Sequence, residues 1–273
     1  MIQFKNASAG YRLSNGDFLE VLLALNITIN PGEYVAIMGG NGSGKSTFAR
    51  LCNGLKLPEK GEVFVDGFEV NDQYREKLFE VRKRVGIIFQ NPDNQIISAT
   101  VEREIAFGLE NIGLETAEIE RRVYKALEDF DLTDVRKHPP DQLSGGEKQR
   151  LAIASVIAMK PNYVIFDEPT AYLDSQNRKN LLRAMSLLNG RGEKKAIIHI
   201  THRPVEALFA ERLIILKDSR IWMDDKPQHI FQKADELAAA GFLPPVEFQI
   251  FHALKPSIRD NVGIDQLLLD PIL

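Results

Sequence analysis

Short apolar runs rich in β-branched residues recur along the chain and alternate with segments that have a helical repeat. The strand-like runs are "YVAIM" (34–38), "EVFVDG" (62–67), "VGIIF" (85–89), "YVIF" (163–166), "AIIHI" (196–200) and "RLIILK" (212–217). Such runs, separated by helical patterns and turn residues, predict an α/β fold with a parallel-rich sheet.

The pattern changes between residues 90 and 143, where helical repeats occur without strands. Five apolar residues there are spaced to share one helix face: Ile119, Val123, Ala126, Leu127 and Phe130. We therefore predict a helical subdomain at about 91–150, inserted into an α/β domain that covers residues 1–230. Residues 231–273 are predicted to form a C-terminal helical extension, with a break at Pro244 and Pro245.

Composition limits the kinds of protein and partner that fit. The chain has 273 residues, 44% of them hydrophobic, which is enough for one large domain with an appendage. Its 34 Lys and Arg against 38 Asp and Glu leave a formal charge of −4, so no broad basic field is available and no nucleic-acid partner is expected. The single cysteine, Cys52, excludes an intrachain disulfide and a multi-cysteine zinc site and fits a reducing compartment.

The N-terminal residues lack the pattern of a secretory signal peptide. They have neither its basic start nor its apolar run, and the chain has no stretch of about 18 uninterrupted apolar residues that could cross a bilayer. We therefore expect the chain to stay in the cytosol.

The stretch "GGNGSGKST" (39–47) lies between a predicted strand and a helix that starts near Lys45. Glycines let successive backbone N–H groups turn inward, and the helix N-terminus adds partial positive charge, so this pattern predicts a phosphate-binding loop. Lys45 would reach the β- and γ-phosphates, and the Ser46 hydroxyl would ligate Mg²⁺. The alternative is a glycine-rich turn with an incidental lysine. The predicted nucleotide-binding residues here are Gly39, Asn41, Gly42, Ser43, Gly44, Lys45, Ser46 and Thr47.

Two adjacent carboxylates follow the strand-like run "YVIF", namely Asp167 and Glu168. At the carboxyl end of a parallel strand they would lie beside the glycine loop, where Asp167 can hold Mg²⁺ and Glu168 can polarise the attacking water. Taken alone, such a pair of carboxylates is about as often a simple acidic turn as a functional site. The glycine loop makes the catalytic interpretation the better one.

The segment "LSGGEKQR" (143–150) matches a capping box, with Ser144 and Glu147 at the start of a helix. The same geometry gives a second interpretation, because Ser144, Gly145 and Gly146 would present a hydroxyl and bare backbone N–H groups at a positive helix end. Such a capped helix is also an anion receptor.

The three motifs, in this order, resemble those of the nucleotide-binding subunit of an ATP-binding-cassette (ABC) transporter, over about residues 2–230. The resemblance implies a P-loop NTPase core that hydrolyses ATP with Mg²⁺. It also implies that Tyr11 stacks on adenine, that Gln90 links Mg²⁺ to a membrane partner, that Asp174 belongs to the D-loop, and that His202 contacts the γ-phosphate. The alternatives are structural: Tyr11 as a core aromatic, and Gln90 and His202 as residues that merely end strands. His199, inside its strand, is assigned to the core.

A narrower resemblance comes from "FQNPDNQIISATVEREIAFGLENIGL" (89–114) and "DELAAAGFLPP" (235–245), which are similar to segments of energy-coupling-factor transporter ATPases. Those proteins import vitamins or transition-metal ions. Departures from the family pattern occur at Tyr172 and at Arg203–Pro204.

The resemblance implies a head-to-tail dimer around two ATP molecules, each held between one chain's glycine loop and the other's "LSGGE". The partners would be a second ABC ATPase subunit, identical or paralogous, and integral membrane transporter subunits, with this chain peripheral on the cytoplasmic side. We expect Gln90 to Ile97 to line a groove that receives a short helix of the membrane partner, with Ile96 or Ile97 as contacts.

Two other functions are weighed against transport. A soluble cassette protein acting on DNA or ribosomes usually carries two cassettes, a long coiled-coil insertion or zinc-binding cysteines, and this chain has none of them. A P-loop kinase has no use for "LSGGE". The sequence does not identify the transported substrate.

Overall fold

The computed structural model describes residues 1–72, 75–171, 173–190 and 194–254. Within these ranges each of the six strand-like runs predicted above forms a strand. The strands are β1 (Ile2–Arg12), β2 (Phe18–Ile29), β3 (Tyr34–Gly39), β4 (Lys60–Val65), β5 (Phe68–Glu69), β6 (Val85–Ile88), β7 (Tyr163–Asp167), β8 (Ala196–Ile200), β9 (Arg212–Lys217) and β10 (Arg220–Asp225). The helices are α1 (Lys45–Asn53), α2 (Arg75–Arg84), α3 (Val101–Asn111), α4 (Thr116–Asp129), α5 (Gly145–Ala158), α6 (Ser175–Gly190), α7 (Pro204–Ala207), α8 (Pro227–Phe231), α9 (Ala234–Ala239) and α10 (Val246–Ala253).

The larger sheet has the strand order β10-β9-β3-β8-β7-β6. All neighbouring strands in it are parallel except β10, which pairs antiparallel with β9. Every residue of β3, β7 and β8 is buried, as expected for parallel strands that are covered on both faces. The predicted parallel-rich sheet is therefore confirmed, and it contains five of the six predicted runs; the sixth is β4.

A second sheet is antiparallel, with the order β2-β1-β4-β5. Of the four strands in this sheet, only β4 is among the runs predicted from the apolar pattern. The sheet packs on α1, where the rings of Phe4 and Phe48 stack at 4.7 Å between centroids. This packing carries the end of β1, with Tyr11, to the helix that follows the glycine loop.

The insertion between β6 and β7 contains α3, α4 and α5, which pack around a buried cluster of their own. Its members include Val101, Ile105, Leu109, Leu127 and Leu151. Helix α5 continues towards β7, and its residues Ile153 and Val156 belong to the cluster on one face of the large sheet. The helix that starts with the "LSGGE" motif therefore packs against both the helical insertion and the large sheet.

The described part of the C-terminal segment forms α8, α9 and α10, with Pro244 and Pro245 between the last two helices. Phe231 and Phe248 are 1% exposed, and they share one buried cluster with Met38 and Phe166 of the large sheet. This segment thus covers part of that sheet face. Residues 255–273 of the predicted extension lie outside the described residues. Within the ranges described, none of the helices combines the length and apolar character needed to cross a bilayer.

Candidate active site

The glycine loop runs from the end of β3 to the start of α1, and three of its glycines are required by geometry. Gly42 and Gly44 have φ of +77° and +101°, which side chains disfavour. A Cβ on Gly39 would lie 2.3 Å from Ser43 Oγ and 2.7 Å from the carbonyl oxygen of Leu216. The Ser43 hydroxyl is buried and has no hydrogen-bond partner among the described residues, which fits a loop built to hold a polar ligand.

Lys45 lies in the first turn of α1 and folds over the loop. Its Nζ donates to the carbonyl oxygens of Gly39 at 2.9 Å and Gly40 at 3.0 Å. Burial lowers the pKa of Lys45, and the charges of Glu168 and Asp167 oppose this shift. The N-cap residue, Gly44, provides no side-chain cap, so the positive end of the helix is available to an anion.

Asp167 and Glu168 stand at the carboxyl end of β7, as predicted. Asp167 is buried, and burial raises its pKa; its bond with the Ser46 hydroxyl opposes the shift and the charge of Glu168 adds to it. A nearby cation would stabilise the ionised Asp167 carboxylate. Asp167 and Ser46 thus supply neighbouring oxygen ligands of the kind that Mg²⁺ prefers.

Gln90, Glu168 and His202 meet at one carboxylate oxygen. Gln90 Nε2 donates to Glu168 Oε2 at 3.2 Å, and His202 Nδ1 lies 3.2 Å from the same oxygen. The three residues follow the carboxyl ends of β6, β7 and β8, which are neighbours in the sheet. A carboxylate flanked by an amide and an imidazole can hold and polarise a water molecule. The sequence-predicted catalytic residues are therefore brought together.

Tyr11 lies beside α1 and is partly exposed, so it is not an ordinary core aromatic. Its hydroxyl is 3.3 Å from Thr47 Oγ1 and accepts from Arg50 Nη1 at 3.3 Å. Lys56 Nζ stands 5.3 Å from the centroid of its ring. Burial alone would raise the pKa of Tyr11, but the bonds with Thr47 and Arg50 outweigh it and the pKa is lowered.

The capping box at the start of α5 is present. Glu147 N donates to Ser144 Oγ at 3.3 Å, and Glu147 Oε2 accepts from Ser144 N at 2.8 Å and Ser144 Oγ at 2.6 Å. Among the described residues, no contact requires glycine at either of the two positions after Ser144. Both lack a positive φ; a Cβ on Gly145 would meet nothing within 4 Å, and one on Gly146 only the end of Arg150 at 4.0 Å.

Asp174 caps the start of α6, because its carboxylate accepts from Asn177 N at 2.9 Å and from Asn177 Nδ2 at 2.7 Å. Within the described ranges, neither Asp174 nor Ser144 contacts the cluster of Gln90, Glu168 and His202. Tyr172, the departure noted before Asp174, lies outside the described residues.

A groove lies at the Ile97 end of the segment from Gln90 to Ile97. A cavity of about 380 Å³ is lined by Asp93, Ile96, Ile97, Ser98, Ala99, Pro139, Pro140, Asp141 and Lys148. Ile97 is 69% exposed there. Gln90 does not line this groove, since its side chain is bonded to Glu168 instead.

The segment between Gln90 and the groove is fastened to the helical insertion. Gln95 Oε1 accepts from Phe89 N at 3.2 Å, and Gln95 Nε2 donates to the carbonyl oxygen of Ala152 in α5 at 3.1 Å. Lys148 of α5 pairs with Asp93 at 2.7 Å. The end of β6 is thus tied to the helix that carries "LSGGE".

A buried polar cluster next to the segments that carry Glu168 and His202 was not predicted from the sequence. Its centre is Glu206, with Thr170, Thr201 and His199 around it. The two threonines could have been identified from the sequence, since each lies close to a predicted site residue. Glu206 could not, because a single glutamate in a short helix usually indicates an exposed position. His199 is fully buried, as predicted.

Comparisons with known proteins agree with this geometry. The protein-family model described as "ABC transporter" matches residues 22–171. The cobalt import ATP-binding protein CbiO of Syntrophus aciditrophicus is 42% identical over 245 residues, which cover 89% of this chain and 86% of that protein. The energy-coupling factor transporter ATP-binding protein EcfA1 of Clostridium novyi is 37% identical over 273 residues, covering 100% of this chain and 96% of that protein.

Two solved structures have a similar fold. CbiO1 from Clostridium perfringens, described as part of the ABC transporter complex CbiONQ, has a TM-score of 0.75 at 30% identity, covering 91% of this chain and 97% of that chain. A dimeric ATP-binding cassette in a post-hydrolysis state with ADP and Pi has a TM-score of 0.75 at 32% identity, covering 83% of this chain and 99% of that chain. The fold is therefore that of an ATP-binding cassette with a P-loop NTPase core.

Proposed function

The chain belongs to the ABC transporter family, and on that premise we propose that it is the ATP-hydrolysing subunit of a membrane importer. The observation that carries the proposal is the convergence of Gln90 and His202 on one oxygen of Glu168. This cluster stands at the same sheet edge as the glycine loop, whose strand β3 is a neighbour of β8.

We assign the roles within the site as follows. The loop residues cradle the phosphates of ATP, and Lys45 interacts with the β- and γ-phosphates. Ser46, Asp167 and Gln90 would hold Mg²⁺, which would supply positive charge to stabilise the negative charge of the phosphates. Glu168 orients and polarises the attacking water, while His202 contacts the γ-phosphate.

Adenine binding is the role that we assign to Tyr11. Its ring lies beside the first helix after the loop, and Arg50 and Lys56 stand next to it. An aromatic ring at this place can stack on a flat base and so hold the end of the nucleotide that the glycine loop does not reach.

The glycines at the start of α5 support a composite site shared with a second ATPase subunit. In a helix, glycine costs up to about 1 kcal/mol relative to alanine, and nothing among the described residues requires it at 145 or 146. Bare backbone at an exposed positive helix end suits the close approach of a phosphate held by another subunit. We propose that Ser144, Gly145 and Gly146 bind the ATP of the partner, with Asp174 at the same subunit boundary.

We propose that the segment that starts at Gln90 couples ATP hydrolysis to transport. One end of it touches Glu168, and the other end supplies Ile96 and Ile97 to the groove. A short helix of an integral membrane subunit, bound in this groove, would be linked to the catalytic carboxylate through one continuous stretch of chain. We therefore propose that the chain lies peripherally on the cytoplasmic side of the membrane.

The proposed cargo is a vitamin or a transition-metal ion. One relative is described as a cobalt import protein, which supports a transition-metal ion. The vitamin alternative rests on the sequence resemblance to energy-coupling-factor transporter ATPases, a description that another relative carries. The cargo would contact the membrane subunits and not the residues described here.

Co-expression with integral membrane subunits encoded beside this gene tests the proposal. We expect Mg²⁺-dependent ATPase activity in the purified chain, and recovery of the chain in membranes only when those subunits are present. Transport of a radiolabelled vitamin or of Co²⁺ into vesicles then identifies the cargo. Stable association with ribosomes or DNA, without membrane recruitment, would contradict the proposal.

A further inference from the structure

A buried carboxylate lies directly behind the proposed catalytic residues. Glu206, in the short helix α7, is 2% exposed. The Thr170 hydroxyl donates to its Oε1 at 2.7 Å, and the Thr201 hydroxyl donates to its Oε2 at 2.7 Å. Each oxygen of the carboxylate thus accepts one hydrogen bond from a threonine hydroxyl.

The two threonines belong to the loops that carry Glu168 and His202. Thr170 is two residues after Glu168, and Thr201 immediately precedes His202. Both threonines are buried, and the backbone N–H of Glu168 donates to the carbonyl oxygen of Ile200 at 3.0 Å. One carboxylate therefore ties together the two strand ends from which the catalytic side chains project.

The backbone at Glu168 needs such support. Its φ is +50°, a left-handed conformation that is uncommon for residues other than glycine. Strained residues of this kind persist where surrounding contacts hold them in place. The bond from Thr170 to Glu206 restrains the chain just beyond the strained residue.

The charge of Glu206 is itself compensated. His199 Nε2 lies 3.4 Å from Oε2, and the Nε atoms of Arg178 and Arg203 each lie 3.8 Å from Oε1. Burial would raise the pKa of Glu206, but the interactions with His199 and the two threonines outweigh it, so the pKa is lowered. A buried, partnered ion is often replaceable by apolar residues without loss of stability, so its presence here favours a role in geometry.

We propose that Glu206 is a positioning residue that sets the separation and orientation of Glu168 and His202. It acts through the hydroxyls of Thr170 and Thr201. The inference rests on the proposed catalytic roles of Glu168 and His202, and it adds a residue that no sequence motif marks.

Isosteric removal of the two hydroxyls tests this role. We expect Thr170→Val and Thr201→Val each to lower kcat about tenfold, since displacement of reacting groups by about 1 Å can cost up to two orders of magnitude. The KM for ATP should stay within about twofold, because the glycine loop and Lys45 are not touched. Thr170→Ser and Thr201→Ser keep the hydroxyl and should restore kcat.

Tyr163→Phe is the matched control. It removes a hydroxyl that donates to a carboxylate, Asp66, at the same 2.7 Å, but at the opposite end of strand β7. We expect it to leave kcat unchanged while costing comparable thermal stability. Nucleotide-binding stoichiometry, measured for every variant, gives the fraction of folded protein, so that kcat refers to folded chains alone.

The outcomes separate the two proposals. A selective loss of kcat with serine rescue supports the positioning role. The positioning role is overturned, while the proposed function stands, if the Thr170→Val/Thr201→Val double variant retains wild-type kcat. The same holds if its kcat falls no more than the kcat of Tyr163→Phe does. A wild-type chain that binds ATP but never hydrolyses it would contradict the proposed function itself.

Discussion

The Nδ1 atom of His202 lies 3.2 Å from the Oε2 atom of Glu168, although the residues are 34 positions apart in the chain. The contact exists because β7 and β8 are parallel neighbours, so their carboxyl ends reach the same edge of the sheet. Gln90, after β6, reaches the same oxygen from the other side. The geometry makes Glu168 the side chain on which hydrolysis should depend most.

Glu168→Gln removes the negative charge but keeps the size and shape of the side chain. We expect ATP binding to persist and kcat to fall by roughly two orders of magnitude or more, because the amide cannot polarise water as the carboxylate does. ATPase assays and nucleotide titration measure the two effects. Glu211→Gln changes an exposed carboxylate in the same way and should have no effect. Near wild-type hydrolysis in the Glu168 variant would refute the assignment.

Gly39→Ala should damage the phosphate-binding loop, whereas Gly40→Ala should not. A Cβ on Gly39 would lie 2.7 Å from a backbone oxygen of Leu216, but a Cβ on Gly40 would meet nothing within 4 Å. We expect ATP affinity to fall about tenfold or more for the first variant, since the loop must shift, and to stay near wild type for the second. Calorimetric titration with ATP and Mg²⁺ distinguishes them. Equal affinities would mean that the loop does not require its observed conformation.

Much of the fold and site followed from sequence because the signals were local. The buried parallel strands are continuous apolar runs, and the polar residues directly after them, such as Asp167 and His202, meet at one edge by the rules of parallel sheets. The glycine loop and the capping box at Ser144 are short motifs whose geometry depends on adjacent residues.

The features that the sequence did not predict depend on contacts between distant segments. Strands β1 and β2 pair with register shifts near Ala7 and Ala9, which interrupt the regular alternation that identifies a strand. Glu206 is buried only because two loops and His199 enclose it, and no pattern around position 206 reports that. The hydrogen bond from Gln90 to Glu168 is likewise a contact between distant segments, 78 positions apart in the chain.

Gly145→Ala should stabilise the isolated chain and impair the enzyme. Alanine is favoured over glycine in helices, so we expect the free energy of unfolding to rise by a few tenths to about 1 kcal/mol. ATPase activity should nevertheless fall, because a methyl group would then occupy the surface proposed for the partner's phosphate. Thermal unfolding measures the expected rise in stability, and ATPase assays measure the expected fall in activity. Gly190→Ala, at the end of α6, where an added Cβ would meet no described residue within 4 Å, should stabilise without loss of activity.

Mixing two inactive variants tests the composite site. A Lys45→Ala chain and a Ser144→Arg chain should each be inactive alone, because each carries one lesion in both sites of its homodimer. A heterodimer places both lesions in one site and leaves the other intact, so activity should partly return.

The measurement is ATP hydrolysis against mixing ratio, with heterodimer formation checked by affinity tags. Heterodimers that form without any recovery would count against independently competent shared sites. A monomer that hydrolyses ATP at full rate would remove the need for a second subunit.

Ile97→Asp should disrupt coupling without disrupting hydrolysis. Ile97 is 69% exposed beside the groove and contacts none of the proposed catalytic residues, so a charge there should weaken docking of an apolar helix. We expect loss of membrane recruitment and transport, with basal ATPase retained. Leu243→Asp, on the C-terminal segment and 66% exposed, is the matched control and should keep both. The reverse result, with only the Leu243 variant uncoupled, would move the docking site to that segment.

Strand β3, which leads into the glycine loop, lies between β8 and β9 and pairs with both. During synthesis it leaves the ribosome early, but both neighbours come from the last third of the chain. Non-local strand pairing of this kind forms slowly and leaves strand edges unpaired in the meantime. The nascent chain therefore carries an exposed apolar strand through most of its translation, and it cannot form a working nucleotide site until almost all of the cassette has been made.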